Sequence, residues 1–329
     1  MKIAVLGCGA IGSLFLGYLK EKDFFVKAVV RDYQKSFLEK ELIIEGVRGT
    51  HKIKNLDVDT SLKESVDLAV VCTKINSLEE IIKDNEKFLK NAFVLTTQNG
   101  IGVEDILSSY FPLDRIITGI VMFGATFYPP NKVVHNFEGE LVLGSFFKKQ
   151  EELNKVKDIL EKIFKVYILD NIKGAKFLKV FINLNNAIPA CLGISMQEAF
   201  GNLEIASLAI KLLKEAFLVV KNSQIELESL PSYPKERIEN LVNMPVEESA
   251  KIFSQIMQNL SKEPLYGSIL QSIKRSKKSE VDYINGVIVK LAEESHLEAP
   301  LNKKIIEMVR RVEKNNKFYS VEEFLKEIN

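Results

Sequence analysis

Lys179, Asn183 and Asn186 follow one another at spacings of four and three residues in an otherwise apolar stretch with helical patterning. At about 3.6 residues per turn, all three fall on one helix face and address the same small volume. An amine beside two amides suits a carbonyl substrate. The ammonium polarises or protonates the carbonyl oxygen, and the amides orient hydroxyl and carboxylate groups. The same residue types also serve plainer ends, a lysine snorkelling from a helix end and asparagines capping nearby backbone. Lys176 and Lys173 read as solvated neighbours of Lys179. Ser279 and Asp282 precede Tyr283, Ile284, Val287 and Ile288 at capping-box spacing, which puts Glu280 in the first turn of a helix. A carboxylate there either compensates the helix dipole or takes part in chemistry. Ser268 stands 12 residues earlier and carries no signal of its own.

A second signature lies at the start of the chain. Gly7, Cys8, Gly9, Ala10, Ile11 and Gly12 spell G-x-G-x-x-G, directly after the apolar run Ile3 to Leu6 and before the helical pattern of Ile11, Leu14, Phe15 and Leu19. In that context the first glycine permits the tight turn, the second lets a pyrophosphate approach the backbone, and the third lets helix and strand pack closely. The residue that separates NAD from NADP lies about 20 positions on. There the sequence reads Val29, Val30, Arg31, Asp32, so Val30 stands where an acidic residue would meet the ribose and Arg31 is placed for a 2′-phosphate. Asp32 keeps NAD open as the alternative, and a solvated loop cation is the plainer reading of Arg31. His51, His135 and His296 are isolated, so neither a metal site nor a nucleophile triad is expected, and the three read as structural or exposed.

The elements that must position these residues change character near residue 170. Lys2 to Leu6, Val26 to Val30, Val66 to Cys72 and Phe93 to Thr97 read as buried strands, with amphipathic segments between most of them. Such alternation gives a mostly parallel sheet covered on both faces. Ser77 and Glu80 have capping-box spacing ahead of the helix that runs to Leu89. Val133 to His135 and Leu141 to Leu143 read as short antiparallel strands that finish the sheet. Beyond Gly174 the patterning is helical, over 175–200, 203–222, 235–260, 280–296 and 301–314. The expected fold is α/β, a Rossmann-type doubly wound sheet followed by an all-helical C-terminal domain. The expected domains are 1–170, binding NADP, and 171–329, binding substrate, with the active site between them.

A chain of 329 residues accommodates about two domains. With 46% hydrophobic and 27% charged residues the composition excludes global disorder. A net charge of +1 without a long basic block argues against nucleic acid as a partner. Cys8, Cys72 and Cys191 lie far apart in apolar runs and suit buried free thiols in the cytoplasm. Residues 3–19 and 180–197 carry no charge. Glycines interrupt the first and asparagines with Pro189 the second, so neither export nor a membrane span is expected.

Taken together, these segments resemble the ketopantoate reductase (2-dehydropantoate 2-reductase) family over nearly the whole chain. The resemblance rests on K-I-A-V-L-G-C-G-A-I-G from Lys2, Arg31, Lys74 and Q-N-G-I-G from Gln98. It also rests on K-V-F-I-N-L-N-N-A from Lys179 and S-E-V-D-Y-I-N-G from Ser279. It implies NADPH as cofactor and reduction of a small 2-oxo acid, ketopantoate, to pantoate for pantothenate and coenzyme A synthesis. By resemblance, Lys179 is similar to the family's catalytic lysine and Glu280 to its functional glutamate. Asn183 and Ser268 match substrate-binding positions, and Lys74 and Asn99 line the cofactor cleft. A homodimer is admitted by the same resemblance. The chain departs from the family at Ala187, where a second asparagine is frequent and Asn186 stands one step earlier. It departs again at Phe177, where a tryptophan is frequent, and at Ser272 after Gln271, where an aspartate can stand. Rival readings are a reductase of the same build acting on another 2-oxo or hydroxy acid, and a regulator that binds NADPH without turnover.

Overall fold

The computed structural model describes residues 1–147, 153–261 and 263–328. The chain divides into two compact units. One comprises Met1–Gln98 and Gly102–Lys173, the other Asn99–Ile101 and Gly174–Asn329.

The first unit is built on twelve strands among the described residues: β1 (Ile3–Leu6), β2 (Val26–Val29), β3 (Leu42–Gly46), β4 (His51–Ile53), β5 (Asp57–Asp59), β6 (Leu68–Val71), β7 (Phe93–Thr96), β8 (Ile116–Val121), β9 (Gly124–Tyr128), β10 (Lys132–Phe137), β11 (Glu140–Gly144) and β12 (Lys165–Ile168). Its helices are α1 (Ala10–Glu21), α2 (Asp32–Leu38), α3 (Leu78–Leu89), α4 (Val103–Ser108) and α5 (Leu153–Leu160). Eight strands form one sheet in the order β12-β11-β8-β7-β6-β1-β2-β5. All of its pairings are parallel except β11 against β8. Every residue of β1 and β6 is fully buried, which explains their unbroken apolar runs: a parallel strand covered on both faces has no polar side. The strand order reverses between β1 and β6, and in such sheets the crevice beyond the carboxyl ends at the reversal is where ligands bind.

Of the two antiparallel strands expected to finish this sheet, only β11 joins it, antiparallel to β8, and the edge beyond it is β12, which runs parallel to β11. The segment Val133 to His135 lies in β10, which belongs to a separate four-stranded sheet, β4-β3-β10-β9. There β10 runs parallel to β3 and antiparallel to β9. This sheet packs on α1 so closely that a Cβ at Gly17 would sit 2.4 Å from Ile44 and 2.7 Å from Ile53. Ser77 does precede α3, but its side chain makes no cap. Its hydroxyl instead accepts from Arg31 at 3.2 Å.

The second unit is helical: α6 (Ile172–Leu184, from Gly174 onward in this unit), α7 (Ala187–Leu192), α8 (Met196–Gly201), α9 (Leu203–Asn222), α10 (Glu236–Asn243), α11 (Val246–Gln258), α12 (Ser268–Ile273), α13 (Val281–Glu294), α14 (Pro300–Asn315) and α15 (Val321–Ile328). Helix α6 is buried nearly all round, whereas α9 keeps one exposed stripe through Glu204, Lys211, Leu218 and Lys221 and buries the rest. Phe177, Leu178, Phe181 and Leu184 on the first, and Ile205, Leu212, Leu213 and Val219 on the second, are at most 1–2% exposed. Burying each such side chain contributes about 1.5–3 kcal/mol. The expected single helix over 175–200 is instead three helices. Pro189 has no N–H to give Asn185 and its ring would collide with that carbonyl, so a continuous helix cannot pass through it. The chain breaks at Asn185 and Asn186 and restarts at Ala187.

Candidate active site

In the first unit the glycine loop joins β1 to α1. Gly7 adopts φ +93°, and a Cβ there would sit 2.5 Å from the Thr73 methyl. A Cβ at Gly12 would lie 2.0 Å from the Gly7 carbonyl oxygen. Around the Cβ position of Gly9 nothing lies within 4 Å. Two of the glycines are therefore demanded by the protein's own packing, and the third opens onto free space. The loop is held from behind, because the Cys8 carbonyl accepts from Gln34 Nε2 at 3.0 Å and from Ser13 Oγ at 3.4 Å. Helix α1 carries no acidic residue in its first turn. Its leading N–H groups lack intrahelical acceptors and carry the positive end of the helix dipole, an arrangement that receives a phosphate.

Arg31 precedes α2 with its guanidinium exposed and bonded to Ser77. Lys74, also exposed, opens the short turn Ile75–Ser77. Gln98 is buried, donates to the carbonyls of Val71 at 3.2 Å and Thr73 at 3.0 Å, and accepts from Thr97 N–H at 3.1 Å. It thereby ties the ends of β6 and β7 together. Gln34 and Ser13 carried no signal in the sequence, and Gln98 showed only as part of a motif. The three act through backbone carbonyls, which spacing does not reveal.

All three cysteines are free; Cys8 and Cys191 are buried, whereas Cys72 is only partly so. Burial pushes the Cys8 thiol far up and that of Cys72 up to about 12, the Thr97 hydroxyl offsetting part of the latter. Both stay protonated at neutral pH and are poor nucleophiles.

The second unit gathers the amides. Asn183 Nδ2 donates to Asn99 Oδ1 at 3.3 Å, and Asn186 Nδ2 donates to Asn183 Oδ1 at 3.4 Å. Asn186 is not on the helix of Lys179 and Asn183, as its spacing suggested. It lies past the end of α6, and its N–H donates to the Asn183 carbonyl at 3.0 Å in a tight turn. Gly267, the residue before Ser268, packs on the Asn186 side chain so closely that a Cβ would sit 3.0 Å from its amide carbon. Ser268 therefore opens α12 beside Asn186. The Gly100 backbone lies tighter still on the Tyr283 carbonyl, where a Cβ would sit 2.2 Å from the oxygen, and that carbonyl accepts from Ile101 N–H at 2.9 Å. The loop bearing Asn99 is thus docked on α13, one turn beyond Glu280.

Lys179 is half-buried one turn before Asn183 on α6. Lys173 is exposed, but Lys176 is only 2% exposed. The reading of Lys176 as a solvated neighbour is thereby overturned, because a helix buried nearly all round leaves it no face in water. Glu280 is 3% exposed and is the residue preceding α13, not a member of its first turn. Ser279 Oγ accepts from Val281 N–H at 3.4 Å, and Asp282 pairs with Arg310 at 2.5 Å, so no reciprocal capping box forms. Of the positions where the chain departs from the family pattern, Ala187 and Phe177 are buried, and the Ser272 hydroxyl is spent on the Ser268 carbonyl at 3.0 Å.

His135 is fully buried and bonded to the Tyr18 hydroxyl at 3.0 Å, and His51 bonds Glu21 at 2.9 Å. Among the described residues no cluster of three or more His, Cys, Asp or Glu side chains could hold a metal ion, and no helix is long and apolar enough to cross a membrane.

Two family models match the chain, ketopantoate reductase PanE/ApbA over residues 3–148 and its C-terminal counterpart over 171–313. The chain belongs to the ketopantoate reductase family. A 2-dehydropantoate 2-reductase from Pyrococcus abyssi is 31% identical over 309 residues, 92% of this chain and 94% of the relative. Two solved structures share the fold. A D-mandelate dehydrogenase in complex with NADH and anilino(oxo)acetate superposes with TM-score 0.83 at 24% identity, covering 96% of this chain and 99% of that one. A PanE/ApbA family ketopantoate reductase from Ralstonia eutropha JMP134 does so with TM-score 0.80 at 22% identity, covering the same shares. In this member of the ketopantoate reductase family, the glycine loop falls within the first matched stretch, and Lys179, Asn183, Ser268 and Glu280 within the second.

Proposed function

We propose that this protein is an NADPH-dependent 2-dehydropantoate 2-reductase, making pantoate for pantothenate and coenzyme A synthesis. The observation that carries this reading is the placement of Lys179 one helical turn from an amide row, Asn99, Asn183 and Asn186, beside Ser268. An ammonium with amides and a hydroxyl matches the carbonyl, hydroxyl and carboxylate of a hydroxylated 2-oxo acid.

The residues present fit the cofactor. The open space at Gly9, the unpaired leading N–H groups of α1 and the lack of an acidic residue there suit a diphosphate, and Arg31 with Lys74 suits a 2′-phosphate. Residues 1–170 are thus assigned to NADP and 171–329 to substrate. When bound, NADPH supplies the hydride. Lys179 holds the carbonyl oxygen of the substrate, stabilises charge as it develops there, and gives that oxygen a proton. Asn183, Asn186 and Ser268 bind hydroxyl and carboxylate, Asn99 lines the nicotinamide side, and Glu280 orients the substrate or Lys179. The protein's contribution is positioning and electrostatics. We assign it to the cytoplasm and to a homodimeric assembly.

The test is NADPH oxidation across a panel of 2-oxo acids. Turnover highest with ketopantoate supports the proposal. A clear preference for another 2-oxo acid overturns the substrate, and binding of NADPH without oxidation with any of them overturns catalysis.

A further inference from the structure

The break between α6 and α7 leaves a carbonyl behind. Ile188 N–H bonds the Asn185 carbonyl at 3.2 Å, so the Leu184 carbonyl is not taken by the residue four positions on. It accepts instead from Asn285 Nδ2 on α13, at 3.2 Å. The second proton of that amide goes to Asn302 Oδ1 at 3.1 Å. Asn302 in turn donates from Nδ2 to Glu215 Oε1 at 2.9 Å and to the Leu212 carbonyl at 3.4 Å. Glu215 also accepts the backbone N–H groups of Leu301 at 3.0 Å and Asn302 at 2.8 Å, closing the first turn of α14.

The direction of this chain is forced from one end. An ionised carboxylate only accepts, so it fixes Asn302 Nδ2 toward Glu215, which turns Asn302 Oδ1 toward Asn285 and fixes Asn285 Nδ2 toward Leu184. Asn285 and Asn302 are both fully buried, and Asn285 Oδ1 has no partner. An amide whose acceptor is left unsatisfied in the interior is kept at a cost, and what it gives in return is its two donors.

We propose that Asn285 is a positioning residue for the substrate-binding amides. Leu184 adjoins Asn183 and lies two residues before Asn186, while α13, which carries Asn285, begins directly after Glu280. One side chain therefore holds the open end of the helix bearing Lys179 and Asn183 to the helix that Glu280 precedes. It sets the turn on which the Asn183–Asn186 hydrogen bond depends. This inference rests on the substrate-binding roles proposed above.

The experiment compares wild type with Asn285→Leu, Asn285→Asp and a control, Ser249→Ala. The control removes a buried hydroxyl that donates to the Leu241 carbonyl at 2.7 Å, away from this network. In Asn285→Leu the KM for ketopantoate is expected to rise by at least about 5-fold, the equivalent of a lost hydrogen bond, with the KM for NADPH within about 2-fold. The control loses thermal stability and leaves both unchanged. In Asn285→Asp, an ionised carboxylate faces two acceptors, and protonation restores one donor. Its KM for ketopantoate, relative to wild type at the same pH, is therefore expected to recover as pH falls. Hydrogen exchange of residues 180–190, read without substrate or cofactor, is expected to quicken in Asn285→Leu and not in the control. Should Asn285→Leu not fold, Asn285→Ser, too short to reach Leu184, carries the same readouts. Lower stability with unchanged ketopantoate KM and unchanged exchange overturns the proposal. If the wild type turns over no ketopantoate, the proposed function fails, and the exchange readout alone decides the role of Asn285.

Discussion

Asn183 and Asn99, 84 positions apart in sequence, are joined by an amide–amide hydrogen bond of 3.3 Å. That bond sets the loop after β7 against α6, and it leaves Asn183 with one further amide proton and one lone pair for a ligand. Replacing Asn183 by alanine is expected to raise the KM for the oxo acid by about 10-fold or more, since a buried polar partner is left unpaired. The KM for NADPH should shift far less. Steady-state kinetics in both substrates check this, and an effect confined to NADPH would remove Asn183 from the oxo acid.

Arg31 is expected to set the cofactor preference. Its exposed guanidinium gives one N–H to Ser77 and has others for a 2′-phosphate, so Arg31→Ala should cost about 10-fold or more in NADPH affinity, the worth of a charged hydrogen bond, and leave NADH affinity nearly unchanged. Titrations with both cofactors decide it. Equal losses, or a wild-type preference for NADH, would show that Arg31 does not read the phosphate.

Gly9 and Gly12 make a matched pair. Alanine at Gly12 meets the Gly7 carbonyl oxygen at 2.0 Å, so it should lower thermal stability sharply, whereas alanine at Gly9 meets nothing. Gly9→Ala is therefore expected to keep wild-type thermal stability and lose NADPH binding. Unimpaired NADPH binding in Gly9→Ala would mean that the cofactor does not approach the loop there.

Burial lowers the pKa of His135 below its ordinary value, with Arg48 adding to the effect and Glu138 opposing it. The unfolded chain, at about 6.5, then binds the proton more readily than the folded protein. The neutral-His135 contribution is full above that value and is lost as pH falls through the interval below it. The melting temperature of wild type should therefore drop between about pH 7 and 5 more steeply than that of His135→Gln. Parallel profiles would show that His135 is not a source of acid lability.

How much of this was legible follows from where each residue's partners lie. Strands β1, β6 and β7 announced themselves because both faces are buried. The second sheet did not: β4 has three residues, and β3 alternates Leu42 and Ile44 with half-exposed neighbours while pairing with β10 some 90 residues away. The position of Asn186 was misread from helical spacing, although Pro189 already ruled out one continuous helix. The burial of Lys176 was written in the apolar residues on every side of α6. The start of α13 was read to within one residue and its end to within two, the usual latitude at helix ends. Asn285, Gln98 and Gln34 could not be ranked, since their function is to bond carbonyls that only the folded chain brings within reach.

If Lys179 acts on the carbonyl oxygen, Lys179→Ala slows the reaction itself, and exposed Lys173→Ala serves as the control. Lys176→Ala is no control, because it empties a buried site. A group that meets charge as it develops affects turnover more than ground-state binding, and such assistance is worth about 10² to 10⁴ in rate. A fall in kcat of that size is expected for Lys179→Ala, measured with ketopantoate and NADPH, and a change of at most a few fold for Lys173→Ala. Near-normal kcat in Lys179→Ala would contradict that role.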